Sequence, residues 1–444
     1  MRICVVALGK IGLPLAVQFA AKGHRVTGAD TDARVVEHVN AGKEPFPGEE
    51  GLAERLAEAV GTGTLRATTD TTEAVAEAEA VVVVVPLFVD DRGTPDFRAM
   101  DAATRAVAAG LRPGALVSYE TTLPVGTTRD RWAPLLQEGS GLLPERDFSL
   151  VFSPERVLTG RVFADLRRYP KLVGGIGPAS AKDGVRFYES VLDFDPRTDL
   201  ARPNGVWDLG SAEAAELAKL AETTYRDVNI ALANQFARFA DRAGVDAEAV
   251  IDACNTQPYS HIHRPGIAVG GHCIPVYPRM YLWNDPGAEV VDAARRTNEA
   301  MPAHAVDLLA DAYGDLEGAE VVVLGAAYRG GVKETAFSGV FPTVTALRAR
   351  GARAYVSDPM FAPHELADMG LRPHTGQPVT AAVVQADHPA YRTLAADHLP
   401  SVRVLVDGRR VTDPALWAGV RRVVIGDGAG RGGRRSAGRS AVRA

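Results

Sequence analysis

A cysteine follows two glycines in Val269, Gly270, Gly271, His272, Cys273, Ile274 and Pro275. Glycine lets main chain approach a ligand closely and take up conformations closed to other residues. A thiol presented there can attack an electron-poor carbon and hold it covalently. A buried, inert thiol in a tight turn accounts for the same residues equally well. The rest of the chain has to decide between them.

Residues 2 to 30 read as strand, glycine turn, helix and strand. Arg2 to Ala7 is an apolar β-type run, and Leu8, Gly9, Lys10, Ile11 and Gly12 form the turn. Leu13 to Lys22 has helical composition and stops at Gly23, and Arg25 to Ala29 leads to Asp30. This is the layout of a dinucleotide-binding βαβ unit, with a pyrophosphate on the helix N-terminus and an acid on the ribose hydroxyl. Asp30 follows Gly12 by 18 residues, close to the spacing that reading needs. A carboxylate there favours NAD over NADP, whose extra phosphate it would repel. Ala7 stands where the fingerprint has its first glycine.

The bulk properties narrow the class. A chain of 444 residues has room for two or three domains. At 23% charged and 46% hydrophobic residues it is an ordinary soluble globular sequence. A net charge of −6 gives no attractive field for nucleic acid, so a nucleic-acid partner is disfavoured. Cys4, Cys254 and Cys273 are the only cysteines, which argues against a disulfide framework or a zinc or other metal site and suits a cytoplasmic location. The apolar run Ala80 to Val89 is too short to span a bilayer, so no membrane association is expected. Residues 428–444, rich in Gly, Ser and Arg, read as a disordered basic tail.

Strand and helix patterns alternate through the first 200 residues. Ala80 to Val85, Ala115 to Tyr119 and Leu150 to Phe152 read as buried strands, and polar clusters follow their carboxyl ends, where open α/β sheets hold ligands. Ser211 to Ala243 holds no Gly or Pro and predicts one long helix of roughly 50 Å. On it Lys219, Thr223 and Arg226 share a face. A second α/β pattern begins near Ala319, with strands at Glu320 to Gly325, Ala352 to Val356, Val402 to Val406 and Val423 to Ile425. The expected fold class is α/β, two Rossmann-like parallel-sheet domains joined by a long central helix. The expected boundaries are 1–205, an NAD-binding domain; 206–303, a helical dimerisation region with the Cys273 loop; 304–427, a nucleotide-sugar domain; and 428–444, the tail.

Three segments in this order, Ser153 to Leu158 (SPERVL), Lys219 to Asn234 (KLAETTYRDVNIALAN) and Gly270 to Pro275 (GGHCIP), resemble the UDP-glucose/GDP-mannose dehydrogenase family. The similarity runs from residue 1 to about 426 and is nearest to the UDP-N-acetyl-D-mannosamine and UDP-N-acetyl-D-glucosamine 6-dehydrogenase branch. It implies oxidation of C6 of a nucleotide-linked hexose to the acid, with two NAD reduced, through a thiohemiacetal and a thioester on Cys273. It further implies that Lys219 stabilises charge on the C6 oxygen, and that Glu155 and Thr122 position or activate water. Gly9, Lys10, Ile11, Gly12, Asp30, Pro86 and Thr122 would line the NAD site. Glu155, Arg156, Lys219, Thr223, Arg264, Gly270, Tyr328 and Arg329 would hold the nucleotide sugar. The long helix, with Ala231, Ala233 and Phe236 available for packing, implies a homodimer.

The pattern is broken at four positions. Tyr277 replaces an aspartate four residues after the cysteine, Thr223 an asparagine, Ala336 an arginine and Ala7 a glycine. A phenol with a pKa near ~10 is a poor base at neutral pH. The resemblance therefore leaves an alternative: an impaired relative that stops at the aldehyde or thioester, or only binds a nucleotide sugar.

Overall fold

The computed structural model describes residues 1–90 and 93–429. Residues 430–444, which hold most of the expected tail, lie outside that range. The chain divides into two compact units, Met1–Glu222 with Arg279–Pro286, and Thr223–Pro278 with Gly287 onward. Among the described residues no helix is long and apolar enough to cross a membrane.

The first unit is built on strands β1 (Arg2–Val6), β2 (Arg25–Ala29), β3 (Leu65–Thr68) and β4 (Ala80–Val83). A short hairpin follows, β5 (Phe88–Val89) and β6 (Pro95–Asp96). Then come β7 (Leu116–Tyr119), β8 (Ser149–Phe152), β9 (Lys171–Gly175) and β10 (Val206–Asp208). The large sheet runs β10-β9-β8-β7-β4-β1-β2-β3. Its pairings are parallel except β8 with β9. Every residue of β4, β7 and β8 is buried, which explains their nearly unbroken apolar runs. From β3 to β8 this is the 3-2-1-4-5-6 order, whose switch point lies between β1 and β4.

The second unit carries β11 (Glu320–Leu324), β12 (Arg353–Ser357), β13 (Ala381–Val384), β14 (Val404–Asp407) and β15 (Arg421–Val424). They are all parallel, in the order β12-β11-β13-β14-β15, with the switch point between β11 and β13. The expected class, two Rossmann-like parallel sheets and a long helix, is what the chain forms.

That helix is Ala212–Ala243, 32 residues without interruption. Ala231 and Ala233, expected at a dimer contact, are instead buried within the chain, as are Ala237 and Ala240. Alanine is small enough to let other elements close over this face. The outward apolar stripe is Tyr225, Leu232, Phe236 and Phe239, whose spacings of seven, four and three residues keep them on one line.

Strand β1 hands over to helix Gly12–Ala21 through a turn with little freedom. A Cβ on Gly12 would lie 1.9 Å from the Ala7 carbonyl oxygen, so no side chain fits. Ala7 keeps a left-handed φ of 75° despite its methyl group. Such a conformation costs an L-residue about 1–2 kcal/mol, partly offset because glycine loses more freedom on folding. Ala7→Gly should therefore raise the unfolding free energy by about 0.5–1 kcal/mol. A urea titration of the two proteins checks it, and a loss of stability in the variant would contradict the strain.

Candidate active site

The β1/β4 switch point collects the residues expected to hold a dinucleotide. Gly9 has open space where a Cβ would project. Helix Gly12–Ala21 begins at Ile11 with no side-chain cap and no acidic residue in its first turn. Leu13 N turns back to the Gly9 carbonyl at 3.1 Å, and no carboxylate stands at this end to repel a phosphate. Asp30 is held by two backbone donors, Leu8 N at 2.8 Å and Asp32 N at 2.9 Å. Pro86 lies on the loop that follows β4, and Thr121 Oγ1 ties the loop after β7 to it through the Val85 carbonyl at 2.7 Å. Thr122, next in the chain, is buried. A strained turn, a helix end without a carboxylate, an open glycine and a fixed acid fit NAD.

Glu155 follows β8 and joins a charged cluster whose other members the sequence reading did not single out. Lys171 Nζ, at the start of β9, lies 2.9 Å from Glu155 Oε2 and 2.7 Å from Glu120 Oε2. The Tyr188 hydroxyl donates to Glu120 Oε1 at 2.7 Å and lies 2.6 Å from Ser118 Oγ. Arg156 N donates to Glu155 Oε1 at 2.8 Å. Burial pushes Glu120 up to about 7, only partly offset by Lys171. Burial also pushes Glu155 upward, but the Lys171 charge and hydrogen bonds outweigh it and leave the carboxyl below its ordinary value. The Arg156 guanidinium turns to Glu222, at 3.1 and 3.2 Å.

The Cys273 loop belongs to the second unit. A Cβ on Gly270 would meet Tyr328 Cβ at 2.6 Å, and Gly271 has a φ of 95° with the Tyr328 ring beside it. Gly271 N donates to the Ala336 carbonyl at 2.8 Å. Residues 270–273 are thereby brought to Tyr328 and Arg329, which follow β11 at its switch point. The Cys273 thiol is exposed, and its Sγ lies 3.8 Å from the Tyr277 hydroxyl. Cys4 is the contrast: burial pushes its thiol up to about 12. Arg264 is engaged with Asp252 and with the Glu248 carbonyl.

Lys219 and Thr223 are both buried on the long helix, one turn apart, whereas Arg226 is exposed. Polar residues that the sequence did not explain anchor loops to this helix. Asn229 accepts from His263 N at 2.8 Å and donates to the His261 carbonyl at 2.7 Å. Asn234 accepts from Gly266 N at 2.9 Å. Both hold the segment that leads into the Cys273 loop. In the first unit, Glu216 accepts from Gly126 N, Thr128 N and Thr128 Oγ1 at 2.6, 2.9 and 2.6 Å.

Comparison with known proteins places this geometry. Residues 1–192 match the NAD binding domain of the UDP-glucose/GDP-mannose dehydrogenase family, 213–300 its central domain and 322–414 its UDP binding domain. The chain belongs to this family. It is an NAD-dependent oxidoreductase of the nucleotide-sugar dehydrogenases. It is 35% identical to the UDP-N-acetyl-D-mannosamine dehydrogenase of Pyrococcus horikoshii, over 93% of this chain and 96% of that one. It is 30% identical to an NDP-N-acetyl-D-galactosaminuronic acid dehydrogenase of Ralstonia solanacearum, over 94% and 97%. The solved structure of the Pyrococcus horikoshii UDP-D-ManNAc dehydrogenase superposes with a TM-score of 0.85 at 32% identity, covering 97% of this chain and 100% of that one. These relatives lend no support to the impaired reading.

Burial pushes Glu216 up to about 7 from 4.5, although Thr128 and Gly126 donate to it. Between those values the folded chain holds more proton than the unfolded one, so stability falls as pH rises through that window. The fall is at most roughly 3 kcal/mol. Urea denaturation at about pH 5 and about pH 8 should show a weaker pH dependence for Glu216→Gln than for the unmodified dehydrogenase.

Proposed function

We propose that this dehydrogenase oxidises the C6 alcohol of a UDP-N-acetylhexosamine to the carboxylate, with Cys273 as the nucleophile. The observation that carries the reading is an exposed Cys273 thiol on a glycine loop packed against Tyr328, in a chain with NAD and UDP binding domains. The printed names of the relatives, UDP-N-acetyl-D-mannosamine dehydrogenase among them, support an N-acetylhexosamine as the sugar.

NAD, when bound, would supply the hydride acceptor; the four-electron oxidation of alcohol to acid would consume two, with the hydroxyl proton released to solvent at each oxidation. The chain's own residues divide the remaining work. Lys219 places a cation at the C6 oxygen as charge develops there. The Cys273 sulfur adds to C6 of the aldehyde as a thiohemiacetal, which keeps the aldehyde from leaving. Loss of the second hydride leaves a thioester. Water then adds to C6, the carbon–sulfur bond breaks, the acid departs and the thiol is restored. Glu155 and Thr122 orient that water and Glu155 takes its proton. Gly9, Lys10, Ile11, Gly12, Asp30 and Pro86 hold NAD; Arg156, Thr223, Arg264, Gly270, Tyr328 and Arg329 hold the nucleotide sugar. A thiol that must stay reduced suits the cytoplasm.

A coupled screen of nucleotide hexoses tests the reading. Two NADH should form for each UDP-N-acetylhexosamine consumed, and Cys273→Ala should form no acid. Turnover unchanged by Cys273→Ala would sink it.

Two copies are proposed to pair through the long helix. Tyr225, Leu232, Phe236 and Phe239 are 57, 46, 38 and 60% exposed, an apolar line that a second copy can cover about a two-fold axis. Light scattering should give a dimer, and Phe236→Asp with Leu232→Glu a monomer. A monomeric parent protein at micromolar concentration would exclude this pairing.

A further inference from the structure

Two carboxylates, Glu120 and Glu155, share the Lys171 ammonium. Glu120, Lys171 and Glu155 side chains retain 0, 4 and 10% exposure, so the three step outward from the core with Glu155 last. A single buried carboxylate would neutralise Lys171. The second is more than pairing that cation requires, and burying such groups for stability alone is a poor exchange. The inner partner is firmly fixed. Glu120 takes hydrogen bonds from Tyr188 and Lys171, and the Lys171 ammonium lies 4.7 Å from the centre of the Tyr188 ring. The outer one is held at both oxygens, by Lys171 and by Arg156 N. A cavity of about 10 Å³, near the size of one water, is lined by Glu155, Lys171, Asp165 and Tyr169.

We propose that Lys171 and Glu120 are positioning residues for Glu155: Lys171 holds the Glu155 carboxylate ionised and in one orientation, and Glu120 with Tyr188 holds Lys171. This rests on Glu155 acting on water as proposed above. An acceptor of a proton from water must be ionised before the step and aimed at the water during it. A carboxyl in this apolar setting without a cation would bind a proton near neutrality and lose the first property. Without a second contact on its other oxygen it would lose the second. The other groups facing it do not replace Lys171. The Arg156 guanidinium is spent on Glu222 and the Pro170 carbonyl, Asp165 is paired with Arg161, and burial keeps the Tyr188 phenol protonated.

Steady-state kinetics of the full-length protein across pH test it, with UDP-N-acetylhexosamine and NAD as substrates and melting temperature as the folding control. Glu155→Gln comes first: it should lose acid formation, and full activity there would defeat the role of Glu155 rather than that of Lys171. With Glu155 established, Lys171→Met should move the acid limb of kcat up by about 1–3 pH units. It should lower kcat near neutrality by about 10²-fold or more, while KM for either substrate stays within about threefold. Lys171→Gln, also without charge and of similar length, gives the same readout should Lys171→Met fail to fold. Lys171→Arg, which keeps a cation, should return the limb toward its original position. A folded, chargeless variant with the parental pH profile would overturn the proposal. So would a loss of activity confined to KM.

Discussion

A polar group taken out of water must find a partner, and the long helix Ala212–Ala243 carries several such groups on its inward faces. Each one fixes a loop. Glu216 gathers the amides of Gly126 and Thr128. Asp227 takes Arg295 at 2.7 Å and Asn298 at 2.8 Å, and Asn298 in turn accepts from Asn234 at 2.9 Å. Asp241 accepts from Gly426 N at 2.9 Å and lies 2.9 Å from His304 Nε2. The helix acts as a ruler: the order of its buried polar residues sets which loop is held at which turn. The loop before Cys273 is held twice, at Asn229 and Asn234, which is why two adjacent glycines can be tolerated next to the thiol without that segment losing its course.

This also marks where the sequence could be read and where it could not. Strands β4, β7 and β8 are buried along their whole length, and their apolar runs stood out accordingly. The β1 turn was legible because Gly12 and Asp30 answer to a local geometry of about 30 residues. Strands β3, β9, β10 and β13 and the β5–β6 hairpin were missed. Leu65–Thr68 has one buried residue in four, Lys171–Gly175 opens on a charge, and Ala381–Val384 begins with two alanines. Long-range partnership was the other blind spot. Lys171 and Glu120 are 51 residues apart, and no spacing rule links them. The one available signal was position, since Glu120 follows the carboxyl end of β7 two residues before Thr122. The same reasoning explains the misplaced alanines. Composition showed that Ala231 and Ala233 could pack closely but not that their partners lie in the same chain.

Electrostatics treats the buried thiol of Cys4 and the buried acids by the same rule. Removal from water favours the neutral form, and only a specific partner reverses that preference. Cys4 has no such partner, and burial pushes its thiol up to about 12. Glu120 and Glu155 share Lys171, yet burial wins at Glu120 and the cation wins at Glu155. Asp227 stays above its ordinary value despite Arg295 and Asn298, because its burial outweighs both. A charged pair on a static structure therefore does not reveal which acid is ionised. The balance between desolvation and the nearest cation does, and it assigns the ionised state to the acid nearest the surface.

The departures from the family pattern follow a common logic. Ala7 takes the left-handed conformation of the glycine it replaces, so the turn is preserved at a cost in strain. Ala336, where the resemblance implies an arginine, receives Gly271 N on its carbonyl. At both positions the backbone carries the geometry. Tyr277 differs in kind, since its hydroxyl reaches to within 3.8 Å of the thiol. That hydroxyl accepts from the thiol, and a phenol is a poor base for water at neutral pH. In the proposed cycle it can steady sulfur as the carbon–sulfur bond breaks, but it cannot activate water. That duty then falls on Glu155 alone, which makes an ionised, well-aimed Glu155 a stricter requirement here than in a chain that keeps the aspartate.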